Sequence, residues 1–158
     1  MRSRVRAVRS ISTRVVALVL CVGLLGAIAA RSDAPSVDIQ VKEAWIRWLP
    51  ANVPAGGYMT IINTGAAARV LVGASSPDYG EVSIHQTRLR NGMNEMVPVQ
   101  SIELKPHSPL RFGEGGYHLM LMQPKRFLKP GDRVLITLRF AHGPPVDVPF
   151  EVRAGNSN

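Results

Sequence analysis

Residues 81–100, EVSIHQTRLRNGMNEMVPVQ, read as two β runs joined by a two-residue turn. Asn91 and Gly92 both tolerate the positive φ that a type I′ hairpin requires. With that pair as the loop, Arg90 faces Met93, Arg88 faces Glu95, Thr87 faces Met96 and His85 faces Pro98. Side chains alternate sides along a strand, so His85 and Thr87 share a face. Met96, opposite Thr87, joins them, while Met93 points to the other side. His85 and Met96 become diagonal neighbours, about 7–8 Å apart at the backbone.

Working outward from this hairpin, the chain continues as short β-like runs separated by turn residues. Before it lie Val37 to Trp48, Gly57 to Asn63 and Ala68 to Ala74; the hairpin supplies Glu81 to Leu89 and Met93 to Gln100. Leu110 to Phe112, Tyr117 to Gln123, Arg133 to Ala141 and Val146 to Val152 come after. Most are rich in Val, Ile, Thr or aromatics, and many alternate with the period of a half-buried strand. Val134 to Phe140 is the strongest case. Asn63-Thr64-Gly65, Lys129 to Asp132 and Gly143-Pro144-Pro145 suit turns. Beyond the N-terminal segment no window keeps an apolar face at helical spacing, and 12 prolines with 14 glycines oppose long helices. The class expected is all-β: a sandwich or barrel with Greek-key connections, without internal repeat or second domain.

The bulk charge needs its distribution read before it means anything. Lys and Arg total 19 against 11 Asp and Glu, a net charge of +8. Arg2, Arg4, Arg6, Arg9 and Arg14 lie in the first 14 residues, and from residue 31 onward the excess falls to +3. No basic run with interleaved aromatics remains, which excludes the usual nucleic-acid footprint. Those five arginines precede an uncharged run of 16 residues, Val15 to Ala30, in which Ala27-Ile28-Ala29 presents small residues for a signal peptidase. A span needs about 20 residues, so residues 1–30 are expected to be a signal peptide rather than an uncleaved anchor. Leu20 stands before Cys21 where lipid attachment prefers a small residue, which disfavours a lipoprotein. Residues 31–36 read as a linker, 37–153 as the β domain and 154–158 as a frayed tail. Cys21 is the one cysteine, so the exported domain has neither thiol nor disulfide. At this length it can fold without such staples.

The chemistry concentrates between Ile84 and Leu121. A second cluster, Gly115-Gly116-Tyr117-His118-Leu119-Met120-Leu121-Met122, places His118 and Met120 on one strand face and Tyr117, Leu119 and Leu121 on the other. The paired glycines allow an unusual entry into that strand or a close backbone approach. If the two strand pairs meet, His85, Met96, His118 and Met120 form a set of two imidazoles and two thioethers. Thioether sulfur is neutral and soft, and suits Cu(I) far better than zinc, magnesium or calcium. A blue-copper centre needs a thiolate, which this domain lacks. Taken singly, a methionine in a β run is core filler and a lone histidine a surface residue; the joint pattern is what matters. Met59, Met93, Met122, His107 and His142 are assigned to such ordinary roles, Met122 being the nearest to the site because it continues the face of His118 and Met120.

The spacing His85, ten residues, Met96, twenty-one residues, His118-Leu119-Met120 resembles the H-x10-M-x21-H-x-M signature of the periplasmic PCuAC copper chaperones. Ala44-Trp45, Gly56-Gly57-Tyr58, Leu71 to Ser76 and Gly116 to Met122 are similar to the same family, so the likeness spans the exported chain. It implies a cupredoxin-like β-sandwich holding Cu(I) at an exposed edge through His85, Met96, His118 and Met120. It also implies delivery to the copper centres of cytochrome c oxidase, chiefly CuA, or to another copper-relay protein. Many members carry methionine after the first histidine; here Gln86 stands there, pointing away from His85 by alternation. Residues 153–158 hold no His or Met, which disfavours a second, Cu(II) site in the tail.

A periplasmic, monomeric metallochaperone that catalyses nothing is therefore expected, with no membrane contact unless the signal is retained. A copper-sequestering protein would use the same ligands, and a metal-free assembly module would not need them. No Gly-x-Ser-x-Gly elbow, His-Glu-x-x-His, phosphate loop or cysteine nucleophile supports an enzyme. Because imidazole must be neutral to bind, copper affinity is expected to weaken below roughly pH 6.

Overall fold

The computed structural model describes residues 38–50 and 53–155, so the expected signal segment, the linker and the last residues of the tail lie outside the described residues. Every regular element within them is a strand: β1 (Ile39–Trp48), β2 (Ala55–Asn63), β3 (Arg69–Ser75), β4 (Tyr79–Arg90), β5 (Met93–Pro98), β6 (Ile102–Leu104), β7 (Pro109–Phe112), β8 (Tyr117–Pro124), β9 (Arg133–Phe140) and β10 (Val146–Ala154). The nine strands expected from the sequence are present with ends shifted by no more than two residues. β6 was not expected. β10 runs through Ala154, which pairs with Trp48, so ordered strand continues one residue past the boundary set for the tail.

The strands form one hydrogen-bonded sheet in the order β5-β4-β8-β7-β2-β1-β10-β9-β3-β6, with β2 also pairing to β8. Four of the nine consecutive pairs, β1–β2, β4–β5, β7–β8 and β9–β10, are neighbours, and the other connections cross over to distant strands, as in Greek-key folds. A single cluster of buried side chains drawn from β1 to β4 and β6 to β10 forms the core, so the two halves of the sheet close around a common interior. Alternation decides which residues enter it. Along β9, Val134, Ile136, Leu138 and Phe140 are buried, whereas Leu135 between them is exposed. Along β8, Leu119 and Leu121 are fully buried, which leaves His118, Met120 and Met122 to the opposite face.

The backbone departs from regular strand geometry at two places that aim side chains. Between Lys42 and Trp45 the pairing of β1 with β2 shifts register, and Glu43 takes a φ of 53°, the mark of a bulge that re-aims the residues after it. At the β4–β5 turn Asn91 and Gly92 have φ of 52° and 78°, the positive pair of a type I′ hairpin.

Candidate metal centre

The hairpin has the register read from its turn: Arg90 pairs with Met93, Arg88 with Glu95, Thr87 with Met96 and His85 with Pro98. The step that the sequence left conditional, the meeting of the two strand pairs, is made by β4 against β8. There His85 lies directly across from His118, and Ser83 from Met120. His85, His118, Met120 and Met96 therefore occupy one face of three adjacent strands. The imidazole ring centres are 6.0 Å apart and tilted by 34°. Two imidazoles each about 2 Å from a shared ion have ring centres about 5–6 Å apart, so the pair is spaced to hold one.

Hydrogen bonds fix one ring and partly fix the other. His118 Nδ1 lies 3.2 Å from the Gly116 carbonyl, which can only accept, so the proton sits on Nδ1 and Nε2 keeps its lone pair. The same carbonyl accepts the Thr87 amide at 3.0 Å, tying β4 to the loop before β8. His85 Nε2 meets the Ser83 hydroxyl at 3.1 Å, whereas its Nδ1 is buried and has no hydrogen-bond partner among the described residues. A buried nitrogen left so costs about 1–3 kcal/mol, a cost that a bound cation would remove. Burial pushes His85 below the ordinary imidazole value, the charge of His118 pushes the same way, and Glu81 opposes both. The first two influences favour the neutral, ligand-competent ring.

The thioethers differ in setting. Met120 is half-buried on β8, while Met96, on the edge strand β5, is 58% exposed. His118, by contrast, is only 9% exposed. The site thus has a sheltered imidazole side and an open thioether side. Among the described residues no group of three or more His, Cys, Asp and Glu converges on a point. Without the methionines this face offers two nitrogens only, which suits neither zinc nor a hard cation and does suit a soft monovalent one.

The residues set aside from the sequence are placed elsewhere. Met59 is core, and Met93 is 70% exposed on the face opposite Met96. His107 sits in the turn after β6, its amide bonded to the Asn63 carbonyl, and His142 lies between β9 and β10. Met122 shares the face of Met120, one pair further along β4 and opposite Glu81. Ser83 and the Gly116 carbonyl were not picked out from the sequence. Ser83 carried a signal, since it stands two residues before His85 on the same face; a carbonyl carries none.

The fold described is that of PCuAC domains. The copper-bound PCuAC domain from PmoF2 superposes with a TM-score of 0.62 at 24% identity, over 74% of this chain and 93% of that one. The Cu(I) form of DR1885 from Deinococcus radiodurans superposes with a TM-score of 0.55 at 29% identity, over 72% and 76% of the two chains. The chain belongs to the LpqE-like family, described as "Putative lipoprotein LpqE-like", whose model matches residues 39–152. A relative named "Putative lipoprotein" from Leifsonia xyli subsp. xyli is 31% identical over 91% of this chain and 90% of its own.

Proposed function

We propose that this protein is an exported copper chaperone that carries one Cu(I) on His85, Met96, His118 and Met120. The observation that carries this reading is the direct pairing of His85 with His118 on a face that also presents both thioethers, His85 Nδ1 having no hydrogen-bond partner among the described residues. The fold it shares with the copper-bound domain from PmoF2 and with Cu(I)-DR1885 supports it. All four ligands are neutral, so the bound ion keeps its charge and the soft set favours the cuprous state over the cupric one. Transfer then needs no electron, only exchange of ligands one at a time. Met96, the exposed thioether on an edge strand, is the ligand an incoming partner meets first.

Export to the periplasm follows in this reading from the arginine-led apolar segment of residues 1–30 and agrees with the lipoprotein names among its relatives. Leu20 before Cys21 favours cleavage near Ala29 or Ala30 over lipid attachment at Cys21. The acceptor proposed is a copper-site subunit of cytochrome c oxidase, chiefly its CuA centre. The test mixes the Cu(I)-loaded protein with a metal-free CuA domain under anaerobic conditions, separates the two and measures copper in each. Movement of most of the copper to the acceptor within minutes supports delivery. Copper that stays put while the acceptor remains competent to take Cu(I) from a small-molecule donor refutes delivery and leaves sequestration.

A further inference from the structure

A second site lies beside the first, on the same outward side of the sheet. Tyr58 of β2 stands two residues after Gly56, the residue paired with Met120, and faces Trp45 of β1 across the strand pair. The two rings stack at 4.7 Å with a tilt of 42°. They form one wall of an open cleft of about 870 Å³. Clefts of roughly 300–1,000 Å³ are the size that holds small organic molecules or a short side-chain cluster. Gly116, whose carbonyl orients His118, also lines it. Neither Trp45 nor Tyr58 has any part in the metal set.

The cations of this cleft define its chemistry. The Arg47 guanidinium stands 5.5 Å from the centre of the Tyr58 ring, and that of Arg153 5.8 Å from the centre of the Trp45 ring. A guanidinium lying against a ring spends its face there and keeps its fork of in-plane N–H groups for an oxyanion. Arg153 has given its fork to Glu151. Arg47 gives Nη2 to Glu114, but its Nε is buried and has no hydrogen-bond partner among the described residues. Arg111, on β7 opposite Thr60, lines the cleft with no ion pair or hydrogen bond of its side chain among the described residues. Arg111 thus offers unmet donors at the surface of the cleft, beside Arg47 and the aromatic wall. Glu43 and Glu114 also line the cleft and Glu151 holds Arg153, so Arg111 is the one of the three arginines without an acid partner among the described residues. That balance favours a monoanion over a doubly charged phosphate.

We propose that this cleft binds a carboxylate attached to an apolar or aromatic group, the carboxylate on Arg111 beside Arg47 and the apolar part against Trp45 and Tyr58. The same chemistry is offered by a free aryl or alkyl carboxylic acid and by an acidic segment of a protein seated beside the metal face. The site needs no metal, so its test stands apart from the copper reading.

The experiment is an NMR titration of the metal-free protein with 3-phenylpropionate, with its neutral amide, and with a blocked tripeptide of sequence Asp–Phe–Asp. Trp48 serves as an internal control, because its indole N–H is held by the Leu128 carbonyl at 2.7 Å away from the cleft. Saturable shifts at the Trp45 indole and Arg47 Nε–H with the carboxylate, none with the amide, and a still Trp48 are expected. The Arg111→Gln variant, altered at an exposed side chain, should bind at least tenfold more weakly. Tighter binding of the tripeptide identifies a protein segment as the natural occupant, and tighter binding of the free acid a small molecule. Equal shifts with acid and amide, affinity unchanged by Arg111→Gln, or no saturable shift at Trp45 with either anion would overturn the proposal.

Discussion

Asn63 is the only buried polar side chain besides His118 among the described residues, and replacing it with alanine isolates what it holds together. Its Nδ2 donates to the carbonyls of Ala67 at 2.7 Å and Leu104 at 2.9 Å, and its Oδ1 accepts the Gly65 amide at 3.0 Å. One side chain thus closes the turn after β2 and pins β6 to the end of that strand. A hydrogen bond is worth about 1 kcal/mol net, so three lost bonds cost about 3 kcal/mol. The Leu104 bond is the one wholly removed from water, and its orphaned carbonyl adds about 1 kcal/mol more. Asn63→Ala should therefore destabilise the domain by about 4 kcal/mol, a fall of roughly 15 °C in Tm for a domain of this size. Urea unfolding followed by tryptophan fluorescence measures it directly. Asn63 lies seven residues along β2 from Gly56, the partner of Met120, a separation of about 23 Å. Below its melting range the variant should still take up one Cu(I). A loss under about 1 kcal/mol would mean that water replaces these bonds and that the turn does not depend on them.

Other outcomes rest on the site itself. Ser83→Ala removes the hydroxyl that steadies His85 Nε2, and should weaken Cu(I) binding about 10–100-fold while changing stability by less than about 1 kcal/mol; an unchanged affinity would remove Ser83 from the site. Burial and the His118 charge lower the His85 value on folding, so the unfolded chain takes up this proton first. Its contribution is complete above the unfolded value of about 6.5 and is lost as pH falls from there through the depressed folded value. Urea unfolding at several pH values should show that decline, and His85→Gln should flatten it; a variant with the native slope would contradict the assignment. Copper affinity should likewise persist at His85 to lower pH than an unburied imidazole allows. Met93→Leu, at an exposed position on the opposite face, should leave Cu(I) affinity within about twofold and stability within about 0.5 kcal/mol; a tenfold loss would show the hairpin face to be misassigned.

Local chemistry in the sequence determined the hairpin completely. Asn91-Gly92 admits one turn type, and counting outward from it selects Met96 over Met93 for the face of His85. Strand period likewise separated His118 and Met120 from Leu119 and Leu121. What local chemistry cannot encode is which distant strands become neighbours. The pairing of His85 with His118 joins residues far apart in the chain, and only the resemblance to a known family anticipated it. β6 was missed because three residues, Ile102 to Leu104, are too few to display a period. The bulge at Glu43 was missed because a non-glycine residue with positive φ carries no compositional mark. The arginine-lined cleft was invisible for the same reason as the metal pair: Arg47, Arg111 and Arg153 come from three separate strands.

Cu(I) binding at this face is tested most directly by an anaerobic titration against a chromophoric competitor, run on the protein and on its Met96→Leu/Met120→Leu variant. One tight equivalent is predicted for the protein and a loss of at least tenfold in affinity for the variant, with both equally folded. No binding, or binding indifferent to both methionines, would contradict the four-ligand site and leave a metal-free β-sandwich as the better description.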